Sequence, residues 1–169
     1  RIAVNIVGDT SKQQIERGDW LVSDRPPFSV DRVLAELTSD RPIHHWQSVH
    51  FHHAANHVTG RGSLLEHGGN ERGQTQLAEL VLDKPLFLAE NDRFIIRDIS
   101  ARETLGGARV IDLRPPRRGK RQPEYLNKLT ELSRAETDEE ALRLRLSEGS
   151  LSIAEFGWAR QLTTKAVQQ

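Results

Sequence analysis

The sequence contains 169 residues, which is enough for one compact domain or two small ones. Its 24 Lys and Arg balance 24 Asp and Glu, so a uniformly basic nucleic-acid-binding protein is excluded, although a local basic patch is not. The lack of cysteine excludes disulfides, zinc–cysteine sites and thiol catalysis. No apolar run approaches the roughly 20 residues of a membrane span, so we expect no membrane partner. Methionine is absent too, and we expect the chain to be a fragment of a longer protein.

The first part of the chain, up to about residue 113, has the pattern of an antiparallel β domain. Short runs of Val, Ile, Leu, Phe and Thr alternate with Gly, Pro, Asn and Asp. We expect eight strands there, which span Arg1–Val7, Trp20–Ser23, Ser29–Leu37, Ser48–His53, His57–Leu65, Leu77–Leu82, Phe94–Asp98 and Gly107–Leu113. Their uneven spacing favours a barrel or sandwich over a repeat array.

A basic linker is predicted at the point where the composition changes. Two prolines stiffen Pro115–Arg121, and a glycine allows it to bend. The positive charges of the linker region, with no acidic residue among them, are Arg114, Arg117, Arg118, Lys120 and Arg121. Such a run is typical either of a phosphate contact, which supplies affinity without sequence specificity, or of a solvated hinge. The sequence supports both interpretations equally.

Short helices are predicted beyond the linker. Pro123 suits the first turn of a helix. The apolar face of that helix carries Tyr125, Leu126, Leu129 and Leu132. Capping-box patterns at Thr137–Glu140 and Ser152–Glu155 begin two more helices, and Thr163 or Thr164 suits the start of a fourth. Short helices joined by tight turns resemble the beginning of a helix-turn-helix or winged-helix module.

The histidines are concentrated in one region. Six of the seven lie between His44 and His57. On a strand, His50 and His52 share one face and His53 points the other way. Neutral imidazole is a common metal ligand, but no Asp, Glu or Cys lies within the cluster to complete a set. We therefore favour a polar sheet face or edge near a phosphate backbone over a metal site.

Patterns that signal catalysis are missing. The sequence has no G-x-x-x-x-G-K-S/T loop for nucleotide phosphates and no G-x-S-x-G nucleophile motif. Asn127–Thr130 begins like the guanine-reading N-K-x-D, but Thr130 replaces the Asp. We predict no catalytic residue and no GTP binding by this chain.

Several segments form an ordered set along the chain. They are Arg1–Ile6, Ile15–Leu21, His57–Arg61, Asp92–Ser100, Thr104–Asp112, Pro115–Arg121 and Phe156–Leu162. In order and spacing the set resembles the selenocysteine-specific translation elongation factors of bacteria. The resemblance implies a mainly β fold with a C-terminal α part, in which an elongation-factor-type antiparallel β-barrel precedes a partial winged-helix domain. The implied parts are residues 1–25, the end of a β-barrel second domain; 26–113, the third-domain barrel; 114–123, the basic linker; and 124–169, the start of a winged-helix domain.

The resemblance also implies a function. The full-length factor would be a cytoplasmic GTPase, with GTP and Mg²⁺, that delivers selenocysteyl-tRNA to the ribosome at UGA codons. Winged-helix modules beyond this chain would read the mRNA hairpin. This part would be non-catalytic, bind no cofactor or metal, contact the tRNA and couple the GTPase to those modules.

The resemblance and the positive charges single out site residues. Arg1 is implied near the pocket for the aminoacyl group. The RNA-facing candidates are Thr59, Gly60, Arg61, Arg102, Thr104, Gly106, Arg117, Arg118, Lys120 and Arg121. For the two glycines, a purely structural role in turns is the favoured alternative.

Two other functions stay open at this point. One is a DNA-binding regulator with a β domain and a helix-turn-helix, which would need basic or amide side chains on one face of its recognition helix. The chain ends with Lys165, Gln168 and Gln169, which do not decide the matter. The other is a metal-dependent enzyme that uses the histidines.

Overall fold

The computed structural model describes residues 17–22, 26–66, 73–147 and 149–167. Its strands are β1 (Val30–Ser39), β2 (Gln47–His53), β3 (Asn56–Leu64), β4 (Thr75–Leu86), β5 (Arg93–Asp98) and β6 (Thr104–Asp112). All neighbouring pairs are antiparallel, and the order β1-β4-β3-β2-β5-β6 closes into a barrel through the pairing of β1 with β6. The predicted β-barrel is therefore confirmed.

Strand β2 shows how the alternation of side chains builds the barrel. Val49 and Phe51 point into the interior and are buried, whereas His50 and His52 lie on the outer face and are partly exposed. The Phe51 ring meets Phe94 of β5 edge to face, with the ring centroids 5.8 Å apart. The interior is thus filled by apolar side chains, which leaves the outer positions of β2 available for polar ones.

Four helices follow the barrel within the described residues. They are α1 (Pro123–Arg134), α2 (Asp138–Leu146), α3 (Ile153–Ala159) and α4 (Thr164–Val167). The capping box at Thr137 is complete, because its side chain accepts from the Glu140 N–H and the Glu140 carboxylate accepts from the Thr137 N–H. Ser152 caps α3 in the same way. There, however, the Glu155 carboxylate pairs with Arg114 instead of completing the box.

The helices pack on the outer wall of the barrel through an apolar cluster. Leu34 of β1 and Ile111 of β6 contact Leu129 and Leu132 of α1, and all four are buried. These strands therefore have apolar residues on both faces over part of their length. Burial of apolar area at about 25 cal/mol per Å² stabilises this contact between the helical part and the barrel.

A buried network of charges adds to the same junction. Arg145 of α2 lies 2.7 Å from a Glu90 carboxylate oxygen and 3.0 Å from a carboxylate oxygen of Asp112. Arg160 approaches Glu90 at 3.4 Å, and the Tyr125 hydroxyl donates to Asp112 at 2.8 Å. Burial by itself would lower the pKa of Arg145, but the carboxylates of Asp112 and Glu90 outweigh it and raise that pKa. The guanidinium therefore stays charged inside the junction.

The structure corrects one predicted strand. Trp20–Val22, the described part of the expected strand Trp20–Ser23, forms no strand. A strand needs a free edge to pair with, and the barrel is closed, so it offers none. Trp20 instead stacks on His53, with the ring centroids 5.5 Å apart. The expected strand Arg1–Val7 lies outside the described residues. Among those residues, no helix has the length and apolar character that a membrane crossing requires.

The linker is bonded to the rest of the molecule at both ends. Arg114 pairs with Glu155 and lies over the Phe28 ring, 4.9 Å from its centroid. Lys120 pairs with the buried carboxylate of Glu79. Arg121 donates to Ser63 Oγ at 3.1 Å and to the Leu64 carbonyl at 3.0 Å. Three of the five linker charges thus make intramolecular contacts, and the solvated-hinge interpretation does not describe the segment as a whole.

Candidate nucleic-acid interface

A continuous row of polar side chains crosses the outer surface of four neighbouring strands. Thr59 of β3 lies opposite His50 of β2, His50 lies opposite Arg97 of β5, and Arg97 lies opposite Thr104 of β6. Directly opposed residues of antiparallel strands point to the same face of the sheet. The register therefore brings together two residues predicted to face RNA, Thr59 and Thr104, with His50 and Arg97 between them. We call these four residues the outer polar row.

Two further rows extend this surface on either side. His57 of β3 lies opposite His52 of β2, and Arg61 of β3 lies opposite Ser48. His57 and Arg61 are exposed. Together with the outer polar row, these residues form a face of hydrogen-bond donors and positive charges, which we call the outer polar face.

Three histidine rings meet on the outer polar face. The centroids of His52 and His57 are 5.6 Å apart in a stacked arrangement, and the His50 ring lies 6.3 Å from His52 and 6.2 Å from His57. The Nε2 atom of His50 is 3.1 Å from the carbonyl oxygen of Ile99. This contact holds the His50 ring against the loop between β5 and β6 and lets that nitrogen donate.

The charges on this face are mixed: Arg97 and Arg61 are positive, whereas Thr59 Oγ1 donates to the carboxylate of Asp83 at 2.5 Å. Burial lowers the pKa of His52, and the neighbouring His57, Arg97 and His50 lower it further. On this face, and among the described residues, the buried polar atoms without a hydrogen-bond partner are His50 Nδ1, His52 Nε2 and Arg97 Nε. Such groups carry an unmet desolvation cost. A phosphate oxygen is the kind of acceptor that would satisfy the Arg97 guanidinium, and a neutral His52 ring can donate to it through Nε2.

Within the described ranges, no three His, Cys, Asp or Glu side chains stand in an arrangement that could hold a metal ion. The alternative of a metal-dependent enzyme built on these histidines therefore lacks its site in this part of the chain.

The remaining candidates on the barrel divide by their surroundings. Arg102 is exposed in the β5–β6 loop. Asp98 shapes that loop by accepting from the Glu103 N–H at 2.6 Å. A Cβ at Gly60 would overlap the carbonyl oxygen of Val81 and lie 2.9 Å from the Phe51 ring, and one at Gly106 would overlap the Thr38 carbonyl. Both glycines thus serve close packing of the strands, and we leave them out of the outer polar face.

The linker candidates differ in the same way. Arg117 and Arg118 are exposed, so their charges are available to a ligand. The Lys120 side chain is 13% exposed and neutralises Glu79, and Arg121 is held by Ser63 and Leu64. We therefore assign Lys120 to the barrel junction. Arg1, expected near an aminoacyl pocket, lies outside the described residues.

Comparison with known proteins gives the family. Residues 30–117 match the profile described as "Selenocysteine-specific elongation factor, beta-barrel domain", and residues 123–169 match the profile of "winged helix 1/3" of the same factor. The chain belongs to the selenocysteine-specific elongation factor family. This finding confirms the resemblance and the fold class of a β-barrel followed by winged-helix sequence.

Similar curated proteins carry the same description. The chain is 54% identical to the selenocysteine-specific elongation factor of Escherichia coli over 169 residues, which is 100% of this chain and 26% of that protein. It is 34% identical over 164 residues to the factor of Haemophilus influenzae, covering 97% of this chain and 26% of the relative. The chain thus spans about a quarter of the length of these relatives.

A solved structure shares the fold. The crystal structure of bacterial selenocysteine-specific elongation factor EF-Sec aligns with a TM-score of 0.65 and 14% identity, over 91% of this chain and 24% of that one. At that identity the likeness describes the fold alone.

Sequence reasoning did not find the place of Arg97 in the site. Its pairing with His50 joins β2 to β5, strands that are not consecutive in the chain. The period of two in Phe94–Arg97 was a usable signal, since it puts Arg97 on the outer face of the strand opposite to Phe94. Nothing in the sequence, however, states which strand lies beside β5.

Proposed function

We propose that this chain is the tRNA-contacting and coupling part of a translation factor that delivers selenocysteyl-tRNA to the ribosome at UGA codons. The observation that carries the proposal is the outer polar face, where Thr59, His50, Arg97 and Thr104 form one row flanked by Arg61. Hydroxyl, imidazole and guanidinium groups at sheet spacing fit the phosphates and ribose hydroxyls of an RNA stem. Family membership supports the choice of tRNA as the ligand.

The coupling role rests on the junction between the barrel and the helices. Arg145 and Arg160 connect α2 and α3 to Glu90, and Arg109 of β6 donates to the Ser133 carbonyl of α1 at 2.8 Å. A helical part held by buried charges and an apolar cluster moves with the barrel. In the proposed full-length factor, this junction transmits the position of the mRNA-hairpin-binding winged helices to the tRNA-binding domains.

The chemistry of the full-length factor belongs to other parts of it. The chain has no G-x-x-x-x-G-K-S/T sequence, so its residues do not fit GTP or Mg²⁺, and we assign it no catalytic step. The proposed GTPase activity lies in the remainder of the factor. The proposed localisation is the cytoplasm, where translation occurs.

The test is a salt series of anisotropy titrations with labelled tRNA. Counterion release gives a slope of about −0.9 in log K against log salt for each phosphate neutralised on a duplex, so two to four contacts predict about −2 to −4. Arg61→Gln and Arg97→Gln should each make the slope shallower by about one unit. Arg143→Gln is the matched control, because Arg143 is exposed on α2 and does not belong to the outer polar face.

Two results would contradict the proposal. One is tRNA binding that does not respond to Arg61→Gln or Arg97→Gln. The other is a preference of this chain for one mRNA hairpin over an unrelated one, which would place the reading surface on the part described here.

A further inference from the structure

A second surface lies on the barrel between the β1–β2 loop and the linker. Trp46 stands in that loop, is 41% exposed and lines a groove of about 440 Å³ together with the linker residues Arg117–Gln122. A tryptophan left exposed beside a concave surface is an uncommon use of a large apolar side chain, since its burial would stabilise the fold.

The backbone of Trp46 is strained. Its φ is 60°, in the left-handed region that bulky residues rarely adopt. The conformation is held by a hydrogen bond of 2.9 Å from the Trp46 N–H to the Gly62 carbonyl and by the neighbouring turn, in which the Gln47 N–H donates to the His44 carbonyl at 3.0 Å. Strained residues of this kind cluster at active sites and ligand-binding sites.

Side-chain contacts connect Trp46 to the wall of the groove. The His45 ring meets the indole edge to face, with the centroids 5.6 Å apart, and His45 Nδ1 is 3.1 Å from Ser63 Oγ. Arg121 donates to the same Ser63 Oγ from the other side. The aromatic pair is thus connected to the linker through the buried Ser63.

The charge of the groove is positive. Its lining includes Arg117, Arg118, Lys120 and Arg121 against the single carboxylate of Glu79. That carboxylate is already paired with Lys120 and Arg32. Burial by itself would raise the pKa of Glu79, but the hydrogen bonds from Lys120 and Arg32 hold it below its usual value. The exposed Arg117, Arg118 and Arg121 are therefore the charges that a ligand meets, and Arg121 is the one already oriented by Ser63 and Leu64.

We propose that this groove binds an unpaired nucleotide of single-stranded RNA, with the base stacked on Trp46 and the flanking phosphates on Arg117 and Arg118. An exposed aromatic platform beside a basic groove is the arrangement that binds unpaired bases without reading their sequence. The proposal relies on the proposed function for the choice of RNA as ligand. It concerns a surface separate from the outer polar face.

The test uses tryptophan fluorescence and anisotropy of the 169-residue chain with a short labelled oligoadenylate. We expect saturable quenching, and Trp46→Ala should weaken binding by roughly tenfold, while Trp46→Phe retains part of it. Trp20→Phe is the control, because Trp20 is also exposed but lines a different groove. Because Trp46 lies at the surface and outside the core of the barrel, Trp46→Ala should still fold, which circular dichroism checks.

Two further ligands separate the contribution of the base from that of the phosphates. An abasic strand with the same phosphates should bind more weakly by a similar factor, and adenosine monophosphate should compete only at much higher concentration. Equal binding of the abasic strand, or an unchanged affinity of Trp46→Ala, would overturn the proposal. If the chain binds tRNA through Arg61 but does not bind the oligoadenylate, the proposed groove site is wrong and the proposed function is unaffected. If the chain binds the oligoadenylate but its binding of tRNA does not depend on Arg61, the proposed function is contradicted and the groove site is supported.

Discussion

The guanidinium of Arg145 lies 3.0 Å from the carboxylate of Asp112, across the junction between α2 and β6. The two side chains are only 13% and 5% exposed. The pair joins two parts of the chain that composition alone separates into a barrel and a helical module. The pair therefore fixes the helical part to the barrel.

Removal of this guanidinium should destabilise the protein strongly. Arg145→Ala removes the positive charge that pairs with the buried carboxylates of Glu90 and Asp112. Loss of one partner of a buried ion pair lowers the free energy of unfolding by about 3–5 kcal/mol. Arg143→Ala, two residues away and exposed, should change the free energy of unfolding by about 0.5 kcal/mol or less. Urea denaturation of both variants measures the difference. Equal effects of the two substitutions would mean that the network does not fasten the junction.

The packing of the barrel predicts opposite tolerance at two neighbouring glycines. A Cβ at Gly60 would overlap the Val81 carbonyl oxygen, whereas the nearest atom to a Cβ at Gly62 is Leu80 Cδ2, at 3.8 Å. We expect Gly60→Ala to destabilise by about 1–3 kcal/mol or more through overpacking. Gly62→Ala should be close to neutral. Thermal unfolding distinguishes them, and a well-tolerated Gly60→Ala would contradict the strand spacing described here.

The histidines of the outer polar face predict a pH effect on stability. The pKa of His52 is lowered in the folded protein, so the folded state binds its proton less readily than the unfolded chain does. The lowered pKa has no effect on the free energy of unfolding at a pH well above the ordinary histidine pKa of about 6.5. As the pH falls from there toward the pKa of His52 in the folded protein, the free energy of unfolding decreases.

His52→Gln should therefore lose less stability than the wild type between neutral and mildly acidic pH. His44→Gln, a substitution at an exposed position outside the ring cluster, serves as the control. Denaturation at a series of pH values measures the slopes. Parallel curves for wild type and His52→Gln would show that the ring cluster does not affect this titration.

The linker contacts predict how trypsin cuts the 114–121 segment. The bonds after Arg117 and Arg118 should be cleaved first there, because these residues are exposed. The bond after Lys120 should be protected, since Lys120 and Arg121 are held by Glu79 and Ser63. The two pieces should still elute together on size exclusion, because the junction around Arg145 survives the cut. Separation of the pieces would show that the linker itself holds them together.

Much of the fold could be predicted from the chain itself. The alternation in segments such as Ser48–His53 predicts strands because burial of every second side chain is a local property of the sequence. The start of α2 was predicted from Thr137 and Glu140, since a capping box involves residues only three apart. The strand expected at Trp20 was wrong because pairing depends on a partner edge, which a segment's own sequence does not describe.

The candidate site depended on tertiary structure. The sequence by itself determined that His50 and His52 share a face and that Arg117 and Arg118 are near one another, because a period of two and chain continuity decide these relations. Only the pairing of β2 with β5 placed Arg97 beside His50, and only closure of the barrel and docking of the helices bonded Lys120 to Glu79. Such contacts join residues far apart in the chain. They form because the whole core is buried at once, so no short stretch of sequence contains the information that fixes them.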